Sequence, residues 1–469
     1  MAEKGVSSRR IALETLLRIE NEGAYANIAL SKALERSDLS VRDRALVTHI
    51  VQGVIRHRSN LDSRLRPFSK KPLDKIPSVL LNTLRIGVYQ LEYLEDIPPS
   101  AVLNTCTSIA RSCGHEGLAK YSNAVLRSYL RKREESLVLA SATLQPDKNL
   151  GVNELSEYYS MPAWMIERWR QNLGTETTLA ILNESQTEPK VFIRVNRTAI
   201  SPEGLQVILA RAGVELAQSS VVEGVFQILS RGRGRLEELP GYKEGLFSIQ
   251  DEAASLVSEI VNPAPDTTVI DLCAAPGGKS LHLAEMFEGK GKVIAVDIYE
   301  KRLTELKKNR ARLSLSNIEI STGDGREFKF DRLAESVLVD APCSGTGVLN
   351  RRSDLKYRKK PEDLKELPVL QEALLNNAAT LVKPGGVLVY STCSLEPEEN
   401  QAVIESFLKK WGESFKPEDL TPYLPDSLKN DDRLSDTAKA GMLLLHPGIR
   451  GLSGFFIARL RRAPDEEMQ

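Results

Sequence analysis

Thr268-Val269-Ile270-Asp271-Leu272-Cys273-Ala274-Ala275-Pro276-Gly277-Gly278-Lys279-Ser280 passes from an apolar, β-branched run through a carboxylate into a glycine pair. The first five residues read as a strand, and Lys279–Phe287 spaces its apolar side chains as a helix does. Strand, glycine turn and helix in that order make a βα unit, and the pattern repeats. Strands are predicted at Lys292–Val296, Ile318–Ser321, Val337–Val339 and Val387–Tyr390, with helices between them, and a late strand at Phe455–Leu460. The repetition predicts a mostly parallel, doubly wound α/β sheet of Rossmann-like type, in which ligands bind beyond the carboxyl ends of the strands.

Asp271–Ser280 lies at the first such end. Its glycines let the backbone approach a ligand, and the following helix offers free N–H groups. A nucleoside triphosphate loop needs GxxxxGK[ST]. Gly278-Lys279-Ser280 supplies the tail of that motif, but Cys273 stands at its leading glycine. The GxGxxG of a dinucleotide site is absent. S-adenosylmethionine remains, with a charged amino-acid end and ribose hydroxyls that call for a carboxylate. Asp297 ends the second strand and suits the ribose, and Asp324, after the third, can face an adenine edge. With Asp271, these carboxylates fall at three successive strand ends.

The fourth strand leads into Asp340-Ala341-Pro342-Cys343-Ser344-Gly345-Thr346-Gly347, and the fifth into Ser391-Thr392-Cys393-Ser394. Neighbouring strand ends open on one crevice, so both thiols can face one substrate. A lone cysteine is usually a small buried hydrophobe, and that is the expectation for Cys106, Cys113 and Cys273. Two at adjacent strand ends, one beside an Asp, suit catalysis. A thiolate that attacks carbon 6 of cytosine turns the ring into an enamine whose carbon 5 can accept a methyl group. Asp340 suits the hydrogen bond at N3 that such an attack needs, and a second thiol can assist release. The residues alone leave open which cysteine attacks.

Outward from this core the chain changes character. Residues 1–140 read as successive helices, broken at Pro98-Pro99, and predict an all-α bundle. They hold 22 Lys and Arg against 15 Asp and Glu through residue 135, a surplus that suits a polyanion. Glu134–Asn153 reads as a linker. Residues 154–245 form a small α+β pattern with strands at Val191–Asn196 and Val225–Leu229, and carry the basic loop Arg231–Arg235. That loop fits either a solvated turn or a phosphate contact. Residues 246–469 are the expected catalytic domain. Five cysteines without a CxxC pair fit neither a disulfide framework nor a zinc site, so no metal is expected. Neither a signal core nor a membrane-length apolar run is present, and the free thiols suit a reducing, cytoplasmic setting.

Asp271–Ser280, Asp340–Gly347 and Ser391–Ser394, with Glu396-Pro397-Glu398-Glu399-Asn400 and Gly454-Phe455-Phe456, resemble the motifs of the RsmB/NOP (Sun) family of RNA cytosine-5 methyltransferases. Residues 1–140, with Ser122–Arg127, resemble the NusB-type RNA-binding domain of the branch acting on 16S ribosomal RNA. The resemblance implies that Cys393 is the nucleophile and that Cys343 helps release the product. It implies cofactor contacts at Cys273, Ala274, Ala275, Pro276, Gly277, Gly278, Lys279, Asp297, Asp324 and Asp340, joined by Arg302. Gln250-Asp251 resembles a family segment before the first strand. Ser453 departs from the pattern, where Asp is expected. The implied partner is small-subunit ribosomal RNA. The alternatives are the same chemistry on tRNA and a non-catalytic RNA-binding factor.

Overall fold

A computed structural model describes residues 2–139, 150–232 and 234–465. The chain folds into two compact units. The first takes in residues up to Glu188 together with Leu349–Arg358, and the second Pro189–Val348 and Lys359 onward.

The first unit is helical: α1 (Ala2–Asn21), α2 (Ala26–Glu35), α3 (Val41–Arg56), α4 (Arg58–Leu65), α5 (Ser78–Tyr93), α6 (Pro99–Ser112), α7 (Glu116–Leu139), α8 (Val152–Tyr159) and α9 (Ala163–Gln186). Local sequence sets the boundaries. The Ser40 hydroxyl accepts from the Asp43 N–H at the start of α3, and Pro99 occupies the first turn of α6, where its missing N–H costs nothing. α5 is buried on nearly every side. It meets α3 at Gly53, where a Cβ would lie 1.9 Å from the Tyr89 ring, so a larger residue there would displace that ring. Within α5, the Arg85 guanidinium forks onto Asp62 at 2.7 and 2.8 Å, which repays its burial.

Two expectations change here. The helices α8 and α9 belong to the helical unit, whereas the sequence suggests a second block opening at 154. Leu349–Arg358, which reads as part of the catalytic domain, also belongs to this unit. Asp354 accepts from the Ala26 N–H at the start of α2 (3.1 Å), and the Lys356 ammonium donates to the Arg56 carbonyl at the end of α3 (2.7 Å). An acid at a helix start and a cation at a helix end complement the two helix dipoles. Half of the expected linker, residues 140–149, lies outside the described residues.

The second unit begins with a four-stranded antiparallel sheet in the order β2-β3-β1-β4, from β1 (Val191–Val195), β2 (Glu215–Gln218), β3 (Val225–Ser230) and β4 (Phe247–Ile249). Helix α10 (Pro202–Arg211), capped by Ser201, covers it. Ile193, Val195, Leu205, Leu209, Phe226 and Phe247 form its core. β4 lies past the expected boundary at 245. Arg233 lies outside the described residues. In the rest of that basic loop, an Arg231 guanidinium N–H donates to the Gly234 carbonyl, and the Arg235 N–H donates to Glu238.

The large sheet follows: β5 (Thr267–Asp271), β6 (Gly291–Asp297), β7 (Ile318–Thr322), β8 (Ala334–Asp340), β9 (Val382–Thr392), β10 (Phe415–Pro417), β11 (Met442–Leu445) and β12 (Phe455–Arg462). Its order is β10-β12-β9-β8-β5-β6-β7, with β11 also on β12. Pairing is parallel from β7 through β9, as the βα repetition predicts. Beyond β9 it is antiparallel, because β12 runs against β9, β10 and β11. Helices α11 (Glu252–Val261), α12 (Gly278–Met286), α13 (Glu300–Arg312), α14 (Asp363–Leu381) and α15 (Gln401–Trp411) flank this sheet. From β5 the strand order runs outward to β6 on one side and to β8 on the other. That switch point is where such sheets open a ligand crevice.

Candidate active site

Asp271 ends β5 and organises the turn that follows. Its carboxyl accepts from the Ser280 hydroxyl (2.6 Å) and the Cys273 N–H (3.3 Å), and only 1 % of the residue is exposed. Burial pushes its pKa up to about 7. This carboxylate, one of three at successive strand ends, thus holds the loop from within. Gly277 caps α12 at φ 115°, a left-handed conformation, and a Cβ there would lie 2.5 Å from Leu306. The glycine turn therefore lets the loop fold back over α13.

Asp297 ends β6 with 4 % of the residue exposed. It accepts from the Ala275 N–H (3.1 Å) and the Tyr299 N–H (2.9 Å), which leaves lone pairs on both oxygens. Arg302 donates to the Ala275 carbonyl (2.9 Å) and stands 3.7 Å from Asp297. The structure thus brings Ala275, Asp297 and Arg302 together. Asp324 instead forks onto Arg326, and that hydrogen bond holds its pKa below the ordinary carboxylate value.

β8 and β9 are parallel neighbours with Asp340 opposite Ser391. Their ends bring Cys343 and Cys393 into contact, with the sulfur atoms 3.2 Å apart as free thiols in a hydrogen bond. The two respond in opposite directions. The hydrogen bond from Cys343 lowers the Cys393 pKa, and the Lys279 ammonium also favours its thiolate. The same bond, with burial, pushes the Cys343 thiol well up. Lys279 reaches Asp340 at 2.7 Å and lies 5.0 Å over the Phe455 ring. Burial opposes its charge, yet the Asp340 carboxylate keeps its pKa above the ordinary lysine value. The other Asp340 oxygen accepts from the Ser391 hydroxyl (2.8 Å). Two thiols with opposite shifts and a lysine–carboxylate pair therefore meet at adjacent strand ends.

Of the other cysteines, Cys106 is fully buried as expected, but Cys113 is exposed at the end of α6. Cys273 is half-buried, and burial, followed by Asp271, raises its thiol well above the ordinary value. The sequence reading missed Lys279 as the partner of Asp340, and it missed Glu399, whose carboxylate meets Ser344 and Ser394. The repeated acids of 396–400 were the available signal. Ser453, at the departure, donates to Asp251 (3.1 Å), which caps α11. Among the described residues no His, Cys, Asp and Glu cluster is arranged for a metal, and no helix is long and apolar enough to cross a membrane.

Comparison with known proteins adds three family matches. Residues 258–461 match the family described as 16S rRNA methyltransferase RsmB/F, 6–131 the NusB family, and 161–231 the ferredoxin-like domain of RsmF/B-like methyltransferases. The chain is 36% identical over 467 residues to a probable ribosomal RNA small subunit methyltransferase B of Bacillus subtilis, covering 98% of this chain and 99% of that one. It is 30% identical over 462 residues to the ribosomal RNA small subunit methyltransferase B of Shewanella oneidensis, covering 97% and 99%. Among solved structures, a methyltransferase homolog protein from Pyrococcus horikoshii aligns with 68% of this chain and 99% of its own, at 28% identity and a TM-score of 0.55.

Proposed function

The chain belongs to the RsmB/F family of 16S rRNA methyltransferases, and from that premise we propose that it methylates carbon 5 of a cytosine in small-subunit ribosomal RNA through a covalent cysteine adduct. The contact between Cys343 and Cys393, with their opposite shifts, carries this reading.

Cys393 is the nucleophile. Its thiolate adds to carbon 6, and the ring becomes an enamine with a nucleophilic carbon 5. Negative charge grows on the ring during attack, and the Lys279–Asp340 pair offers a fixed proton and charge for N3. S-adenosylmethionine, when bound, supplies the electrophilic methyl group. The turn Cys273–Lys279 would hold it, with Asp297 for the ribose and Arg302 beside that carboxylate. The free lone pairs of Asp297 and the unpartnered, buried amide nitrogen of Gln250 near Gly278 fit a polar ligand there. Asp324 is assigned to the adenine edge, where Arg326 shares its carboxylate. Cys343 stays protonated during attack; in the elimination a solvent water takes the carbon 5 proton, the carbon–sulfur bond breaks to free Cys393 as thiolate, and the Cys343 thiol assists by donating a hydrogen bond to that departing sulfur.

The domains divide the work in this reading. The NusB-like RNA-binding bundle is residues 1–140 of the helical unit, the sheet β1–β4 with α10 is the small α+β domain, and the large sheet with its helices is the catalytic domain, in a cytoplasmic protein. A buried thiol reaches only an unstacked base, so the target lies in a loop or an accessible precursor. Bisulfite sequencing of ribosomal and transfer RNA from a strain lacking the protein tests the proposal. Loss of one small-subunit cytosine methyl group is expected. An unchanged ribosomal pattern with a lost tRNA site would transfer the same chemistry to tRNA.

A further inference from the structure

Glu399 is fully buried, in the turn Pro397–Glu399 that follows β9. One carboxylate oxygen accepts from the Ser344 N–H (2.8 Å) and the Gln371 amide (3.1 Å). The other accepts from the Ser394 hydroxyl (2.5 Å) and from the Ser344 hydroxyl. Ser344 directly follows Cys343, and Ser394 directly follows Cys393. The two loops lie 50 residues apart in sequence, yet one carboxylate is the shared acceptor for both.

The acceptor is itself fixed. The Glu399 carbonyl takes the Tyr390 hydroxyl at 2.6 Å, and Asn400 bonds to Thr392 (2.6 Å) and to the Ser394 carbonyl (2.9 Å). A buried carboxylate is costly unless its lone pairs are filled. Here four donors fill them, and three come from the residues beside the thiols. Packing alone would be served by an apolar side chain of similar volume.

We propose that Glu399 is the positioning residue of the thiol pair: its carboxylate ties Ser344 to Ser394 and thereby sets the contact between Cys343 and Cys393. Its charge has a second consequence. It opposes ionisation of both thiols, so the Cys393 thiolate is held against a like charge and Cys343 is kept protonated. The inference rests on the thiol-pair reading above, but its test needs no methyl transfer.

Phenylarsine oxide reports the pairing. Its trivalent arsenic condenses with two thiols, forms two S–As bonds and releases water. The full-length protein is titrated beside Cys343→Ser as the blank, Glu399→Ala and Glu399→Gln. The Ala variant is expected to bind the arsenical about 100-fold more weakly, because the second bond is no longer intramolecular. In the Gln variant the amide oxygen can keep the Ser344 N–H while the serine hydroxyls turn to accept, so pairing should persist. Only the charge is lost there, and the pH midpoint for iodoacetamide alkylation of Cys393 should fall. Native arsenical affinity in a folded Ala variant would overturn the proposal. So would an unmoved or raised midpoint in the Gln variant, which decides the matter if the Ala variant does not fold. An inactive native protein with both expected results would reject the methyltransferase reading and leave Glu399 in its role.

Discussion

Asp271→Asn is expected to stabilise the catalytic unit more at pH 8 than at pH 5. The folded-state pKa of Asp271 is raised to about 7 from 3.8, first by burial and next by the charge of Asp340. Between those two values the unfolded chain has lost a proton that the folded chain keeps, so stability falls as pH rises through that window. Each tenfold step is worth about 1.4 kcal/mol, which puts the full loss at up to about 4 kcal/mol. Roughly 2.5 kcal/mol of it lies between pH 5 and pH 8. Asparagine has the same shape. Its carbonyl can accept from the Cys273 N–H, and its amide can donate to a Ser280 hydroxyl that turns around. The buried His282 and the half-buried His446, both lowered to about 4 by desolvation, titrate with the opposite sign. They are common to both proteins and cancel in the difference. Native-state amide exchange of peptides spanning β5 and β8, followed by mass spectrometry from pH 5 to 8, measures that difference. A difference that stays flat across the range, or shrinks toward pH 8, would refute the assignment of a neutral Asp271.

The thiol pair gives the most direct functional test. Cys393→Ala should abolish methyl transfer, whereas Cys343→Ala should accumulate a protein–RNA adduct that survives a denaturing gel; an adduct from the Cys393 variant would exchange the two roles. Lys279→Met removes the cation that favours the Cys393 thiolate, so the pH midpoint of Cys393 alkylation should rise. The same change breaks the pair with Asp340, whose side chain is 29% exposed. The stability cost should therefore be about 1–3 kcal/mol by urea unfolding, below that of a fully buried pair. Gly454→Ala would place a Cβ 2.4 Å from the Gly347 Cα, backbone against backbone. It should cost about 1–3 kcal/mol in thermal unfolding and weaken methyl transfer, because Gly347 donates to the Cys393 carbonyl.

The strand ends were legible in the sequence because the residues there are chemically marked. A β-branched run closed by Asp, a glycine pair or a Pro-Cys step each has a narrow physical meaning, and the parallel strands fall where those marks stand. In the antiparallel edge only β12 was legible, as the strand expected at Phe455–Leu460, and its neighbours β10 and β11 were not. β10 is Phe415-Lys416-Pro417, three residues with a proline that cannot donate to a ladder, and β11 is a uniformly apolar Met442–Leu445. Neither shows the alternation that distinguishes a strand from a loop or a short helix. Leu349–Arg358 was hidden for a different reason. Its Asp354 and Lys356 look like surface charges until the helix ends they complement are known, and those ends are some 300 residues away in sequence.

At the site, residue type was readable and partnership was not. The sequence marks Asp271, Asp297, Asp324 and Asp340 as carboxylates near strand ends, and each meets an environment of its own. Asp271 turns inward and holds the loop, Asp297 keeps free lone pairs, Asp324 is taken up by Arg326, and Asp340 anchors Lys279. The difference lies in hydrogen bonds from neighbouring strands and helices, which no local pattern records. Ser453 makes the same point in reverse. As text it is a departure where Asp is expected. In the fold its hydroxyl donates to Asp251, the carboxylate that caps α11. A carboxylate at 453 would set two like charges against each other over that helix start, so the serine suits the neighbour it has.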